Sequence, residues 1–91
     1  MQSQCSYVYV LYSKILNKFY IGYTENLKER LIEHKSGSTY TTYRMRGFKL
    51  VYYESCINKK DATAREKQLK TGYGRQYLRN RLKNYLNSPG C

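Results

Sequence analysis

The chain has 91 residues, with 17 lysines and arginines against six acids and a formal net charge of +11. At that length one domain is expected, residues 1–91 with a core over about 7–86, held by a thin interior. The charge favours polyanionic partners, nucleic acid first and an acidic membrane surface second. No run of about 18 apolar residues exists to span a bilayer, and the N-terminus lacks the basic-then-apolar order of a signal peptide.

Tyr7 to Ser13 is rich in Tyr and Val, a strand composition. Both of its alternating faces are largely apolar, which suits a central strand. Lys14 to Lys18 reads as a turn and Phe19 to Thr24 as the second strand of a hairpin. Asn26 then has the character of a helix N-cap, with Glu29 three residues on completing a capping box. Leu27 and Leu31 are i, i+4 partners on the helix that follows, which ends near Ser36-Gly37. Residues 37–48 are polar and basic and read as a loop. Lys49 to Ile57 is a third strand. Asn58 caps a helix over about 59–71 with Asp61 in its first turn. Gly72 and Gly74 break the chain, and a last helix runs from about Arg75 to Leu86, with Leu78, Leu82 and Tyr85 on one stripe. The order β-β-α-β-α-α implies an α+β fold, a small three-stranded antiparallel sheet flanked by about three helices.

Cys5, Cys56 and Cys91 are odd in number and scattered, beside one histidine. That pattern disfavours a disulfide framework or a closed zinc site and points to free thiols in a reducing, cytoplasmic setting. The 12 tyrosines suit a thin core, base stacking or proton transfer alike.

Three places break simple patterning. Arg30 and His34, one helical turn apart, lie beside the Leu27/Leu31 stripe; as an edge-of-core pair they would pack their stems and wet their heads. Glu66 shares a helix face with Ala62 and Leu69, and an inward glutamate is costly without a partner or a metal; a surface ion pair with Arg65 or Lys70 is the plain alternative. Tyr9 and Tyr20 stand on adjacent strands, where aromatic packing alone would account for them. Taken together they match the needs of phosphodiester cleavage. A tyrosine can handle the proton of a water, Arg30 can neutralise the phosphate, and Glu66 can hold a hard cation through oxygen. A phenol with its ordinary pKa of roughly 10 would need nearby cations to act as a base at neutral pH.

Tyr7-Val8-Tyr9, followed ten residues later by Phe19-Tyr20-Ile21-Gly22-Tyr23-Thr24, resembles the GIY-YIG nuclease signature. Asn26-Leu27-Lys28-Glu29-Arg30-Leu31-Ile32-Glu33-His34 resembles that family's first helix, and Ala62-Thr63-Ala64-Arg65-Glu66-Lys67-Gln68-Leu69-Lys70 its metal-binding helix. The likeness covers about Tyr7 to Leu86 and is strongest to compact, stand-alone bacterial members, which are similar to the nuclease half of the excision-repair incision protein. It implies a Mg2+- or Mn2+-dependent endonuclease acting on duplex or branched DNA in repair or recombination. Under it, Tyr9 and Tyr20 are the active-site hydroxyls, Arg30 stabilises the transition state, His34 is a proton relay, and Glu66 binds the metal. Gly22 is the glycine of the second triplet, where a side chain would crowd the phosphate. A late asparagine falls on Asn80 or Asn84, Asn80 first. Tyr7 departs from the first glycine of the pattern, and Tyr23 stands where some branches carry a lysine near the scissile phosphate.

Further nucleic-acid contacts are expected from Arg44 and Arg46 in the basic loop, from Lys70, and from Arg75 in the glycine turn 71–75, where glycine N–H groups can meet a phosphate or simply break the helix. The competing function is a non-catalytic nucleic-acid-binding module on the same scaffold. An assembly subunit meeting an acidic protein is a third reading, carried by charge alone. No appended reading head is visible, so target choice is expected to come from DNA shape or from a partner.

Overall fold

A computed structural model describes residues 5–35 and 47–88, with residues 34 and 35 as backbone only. Arg44, Arg46 and the His34 side chain therefore lie outside the described residues. The elements are β1 (Ser6–Ser13), β2 (Lys18–Thr24), α1 (Leu27–Lys35), β3 (Phe48–Cys56), α2 (Lys59–Leu69), α3 (Gly72–Arg81) and α4 (Lys83–Asn87). The three strands form one antiparallel sheet in the order β2-β1-β3. This is the expected α+β architecture, with β1 in the centre as its two apolar faces require.

The two faces do different work. Val8 and Val10 join Ile21, Ala62, Leu69 and Leu78 in the core beneath α2 and α3. Tyr9 and Leu11 point the other way; the register pairs them with Gly22 and Tyr20 of β2. Against β3 the register slips between Val10 and Leu11, a bulge that adds local twist. The hairpin turn closes with Asn17 at φ 55°, a conformation asparagine tolerates. The Asn17 N–H donates to the Ser13 carbonyl at 2.7 Å, and its side chain accepts from the Tyr12 hydroxyl at 2.6 Å.

Asn26 accepts from the Glu29 N–H at 3.0 Å, as the capping motif requires. The return half of the box is replaced: the Asn26 N–H donates to Thr24 Oγ1 at 3.1 Å. Asn58 caps α2 through the Lys60 N–H at 2.8 Å.

The glycine turn differs from expectation. Gly72 and Gly74 belong to the first turn of α3, which Thr71 caps by accepting from the Gly74 N–H at 3.2 Å. A Cβ on Gly74 would collide with the Leu69 backbone, so this glycine lets the start of α3 pack on the end of α2. The expected last helix is divided at Leu82, whose φ of −109° and ψ of 20° separate α3 from the short α4.

Candidate active site

Tyr9 is fully buried at the middle of β1. Its ring crosses to the edge strand and lies over Gly22. A Cβ there would strike the phenol carbon and the hydroxyl of Tyr9. The glycine is thus needed first to seat Tyr9, before any question of room for a phosphate arises. Tyr20 stacks beside it, with ring centroids 6.3 Å apart and planes 27° apart. Phe48 meets the Tyr20 ring edge-on at 6.4 Å.

Arg30 comes from the second turn of α1. Its Nη1 donates to the Tyr9 hydroxyl at 3.5 Å, while its Nε is ion-paired with Glu33 Oε1 at 3.0 Å. The i, i+3 spacing of Arg30 and Glu33 is the signal that could have revealed this orienting pair, which the sequence reading did not single out. Glu66 shares the inward side of α2 with the buried Ala62 and Leu69. Its carboxylate is one-fifth exposed and is held by Lys70 Nζ at 2.9 Å. Of the two alternative partners, Lys70 takes it; Arg65 turns instead to Glu54.

Electrostatics join these groups. Burial raises the pKa of Tyr9; the Arg30 hydrogen bond and charge oppose this, and the Tyr20 and Glu66 charges add to it. The expectation that the cations of a basic domain would lower this phenol is therefore reversed at Tyr9, because desolvation outweighs one long hydrogen bond. Tyr9 keeps its proton at neutral pH. Its hydrogen bond to Arg30 in turn raises the guanidinium's own pKa.

Other candidates stand apart. Tyr23 is paired in register with Val8, so it faces the helix-covered side of the sheet, away from Tyr9 and Tyr20. Its hydroxyl binds Glu25 at 2.9 Å and lies 3.3 Å from Ser6 Oγ. Arg75 is exposed in the first turn of α3. Asn80 lines a groove with Asn84, and none of Tyr9, Tyr20, Arg30 or Glu66 borders it.

Tyr9, Tyr20 and Arg30 thus meet from β1, β2 and α1, and the charge of Glu66 on α2 is felt at Tyr9. Residues 5–80, which contain all four, match the family model described as the GIY-YIG catalytic domain. The chain belongs to the GIY-YIG family. It is similar to a UPF0213 protein of Limosilactobacillus reuteri, 39% identical over 84% of this chain and 81% of the relative. A UPF0213 protein of Pediococcus acidilactici is 39% identical over 92% and 83%, and one of Clostridium perfringens 41% over 71% and 70%. No solved structure matches. Among the described residues, no helix is long and apolar enough to cross a membrane.

Proposed function

We propose that the protein is a metal-dependent endonuclease that hydrolyses DNA phosphodiester bonds, directed by DNA structure and serving repair or recombination. The observation that carries this reading is the meeting of Tyr9 with Arg30 at 3.5 Å, with Tyr20 stacked alongside and Glu66 within electrostatic reach. Arg30 sits where it can neutralise charge developing on a phosphate, a role that stabilises the transition state more than the ground state. Tyr9, which keeps its proton, serves as a hydrogen-bonding post that orients the phosphate or the attacking water. Tyr20, partly buried at the edge strand, is the side chain assigned to take the water's proton, which it can do only as the phenolate.

Glu66 is the candidate holder of Mg2+ or Mn2+. It offers hard oxygen donors at a partly open position, and one of them already binds a cationic group, the Lys70 ammonium. Among the described residues no three His, Cys, Asp or Glu side chains gather as a closed metal cage, so a single carboxylate and water ligands are the fit, the arrangement magnesium tolerates. A bound divalent ion supplies Lewis acidity toward a phosphoryl oxygen.

The decisive experiment is plasmid nicking and cleavage of a labelled branched DNA in Mg2+, Mn2+ and EDTA, with Glu66→Gln as control. Nicking that needs the metal and disappears in Glu66→Gln supports the proposal. DNA binding without cleavage in either metal overturns it in favour of a binding module.

A further inference from the structure

From Lys67 to Cys91 the chain carries six lysines and arginines and no acid. Within this stretch α3 and α4 enclose a groove of about 390 Å³, lined by Tyr77, Asn80, Arg81, Lys83 and Asn84. Asn80, Arg81, Lys83 and Asn84 are exposed. Among the described residues, none of these four uses its side chain in a hydrogen bond or ion pair. Four other cations differ: Arg30, Arg65, Lys59 and Lys70 are each committed to a carboxylate. The groove therefore presents two uncompensated charges and two amides, and its floor residue Tyr77 is fixed by Arg65 stacked 4.8 Å above its ring.

We propose that this α3–α4 groove binds the phosphodiester backbone of a nucleic-acid segment outside the cleavage centre, through Arg81, Lys83, Asn80 and Asn84. The proposal rests on the nucleic-acid reading of the protein but not on its being an enzyme. Charge complementarity selects the occupant. Exposed Arg and Lys beside amide donors are the side chains that hold phosphate oxygens and set register without reading bases. Among the described residues the cleavage centre has one guanidinium to offer a phosphate, which cannot by itself orient a duplex. A second hold on α3–α4 would supply that orientation and favour DNA that spans both sites. Both candidates for the late asparagine, Asn80 and Asn84, find a use in the same groove.

The test is equilibrium binding in EDTA, where cleavage plays no part. Fluorescence anisotropy is read with a labelled four-way junction over a range of salt, for wild type and Arg81→Gln/Lys83→Gln. Lys60→Gln/Lys67→Gln is the control of equal charge. The groove variant is expected to bind several-fold more weakly and to lose about two from the slope of log affinity against log salt, roughly one per cation. The control should change the slope by less, and melting temperatures of all three proteins should agree. An unchanged affinity and slope in the groove variant, with wild type binding normally, would overturn the proposal alone. Equal weakening of the variant toward polyglutamate or anionic vesicles would also overturn it, by assigning the groove to anions in general. Failure of wild type to bind DNA or RNA at all would instead overturn the nucleic-acid reading beneath it.

Discussion

The domain carries two tyrosine–arginine–glutamate groupings, and they are built differently. On the helix side, Arg65 gives Glu54 three hydrogen bonds of 3.0 to 3.1 Å. Tyr52 donates to the same carboxylate at 2.8 Å, and Tyr77 lies 3.3 Å from the Tyr52 hydroxyl. At Tyr9, on the opposite face, Arg30 reaches the hydroxyl at 3.5 Å, while Glu66, on the inward side of α2, is held by a lysine rather than by the arginine. The first set satisfies itself and ties β3, α2 and α3 together. The second is held by one 3.5 Å hydrogen bond and by ion pairs within single helices, Arg30–Glu33 at 3.0 Å and Glu66–Lys70 at 2.9 Å, which a substrate phosphate and a cation can replace. Arg65 and Glu66 are neighbours in α2, so one helix serves both groupings.

This contrast can be broken by substitution. Arg30→Ala should cut the rate of DNA nicking by about 10²- to 10³-fold, the usual loss on removing one donor that stabilises a transition state, while the melting temperature barely moves. A large drop in melting temperature would show Arg30 to be structural. Gly22→Ala should destabilise the fold by about 1–3 kcal/mol, because its Cβ must displace the Tyr9 ring. Adding Tyr9→Leu should recover stability but not cleavage, as urea titration and nicking assays together would reveal.

Arg65→Ala should cost about 1–3 kcal/mol in urea unfolding, since it strands the partly buried Glu54 carboxylate. At saturating metal, cleavage by the folded fraction should persist.

The smallest effect is one of pH. Burial would raise the Glu54 carboxyl, but hydrogen bonds from Arg65 and Tyr52 and the Arg65 charge outweigh it and hold the pKa below its ordinary 4.5. A lowered folded-state pKa means that the stabilisation is present above the unfolded value and fades as pH falls through the folded one. The difference in melting temperature between wild type and Glu54→Gln should therefore be full at pH 6 and shrink below about pH 4. A constant difference down to pH 3 would contradict this.

What could be read from the sequence was local. The hairpin, the Asn26 and Asn58 caps and the central place of β1 follow from alternation and capping chemistry within a few residues. The opposite facing of Tyr23 and Tyr20 was implicit in the two-residue period of β2. The role of Thr71–Gly74 was hidden because it depends on α3 packing against the Leu69 backbone, a contact that side-chain patterning does not encode. Glu54 and Arg65 are eleven residues apart on different elements, beyond any helical spacing. The raised pKa of Tyr9 depends on how deeply its strand is covered, which composition does not reveal. Arg30, Glu66 and the two tyrosines were legible as unusual placements, and the resemblance tied them to one chemistry.

Tyr9 stands on the strand that is paired along both edges. Its ring is also seated over Gly22. A shift of Tyr9 would require two ladders of backbone hydrogen bonds to yield at once. Arg30 and Lys70, by contrast, end long side chains on helices and can swing without moving the main chain. In any encounter with a ligand, Tyr9 is the fixed reference and the charged groups do the adjusting. Such adjustment should leave amide hydrogen exchange at α1 and the end of α2 unchanged, while the amides of β1 exchange only when the whole domain unfolds.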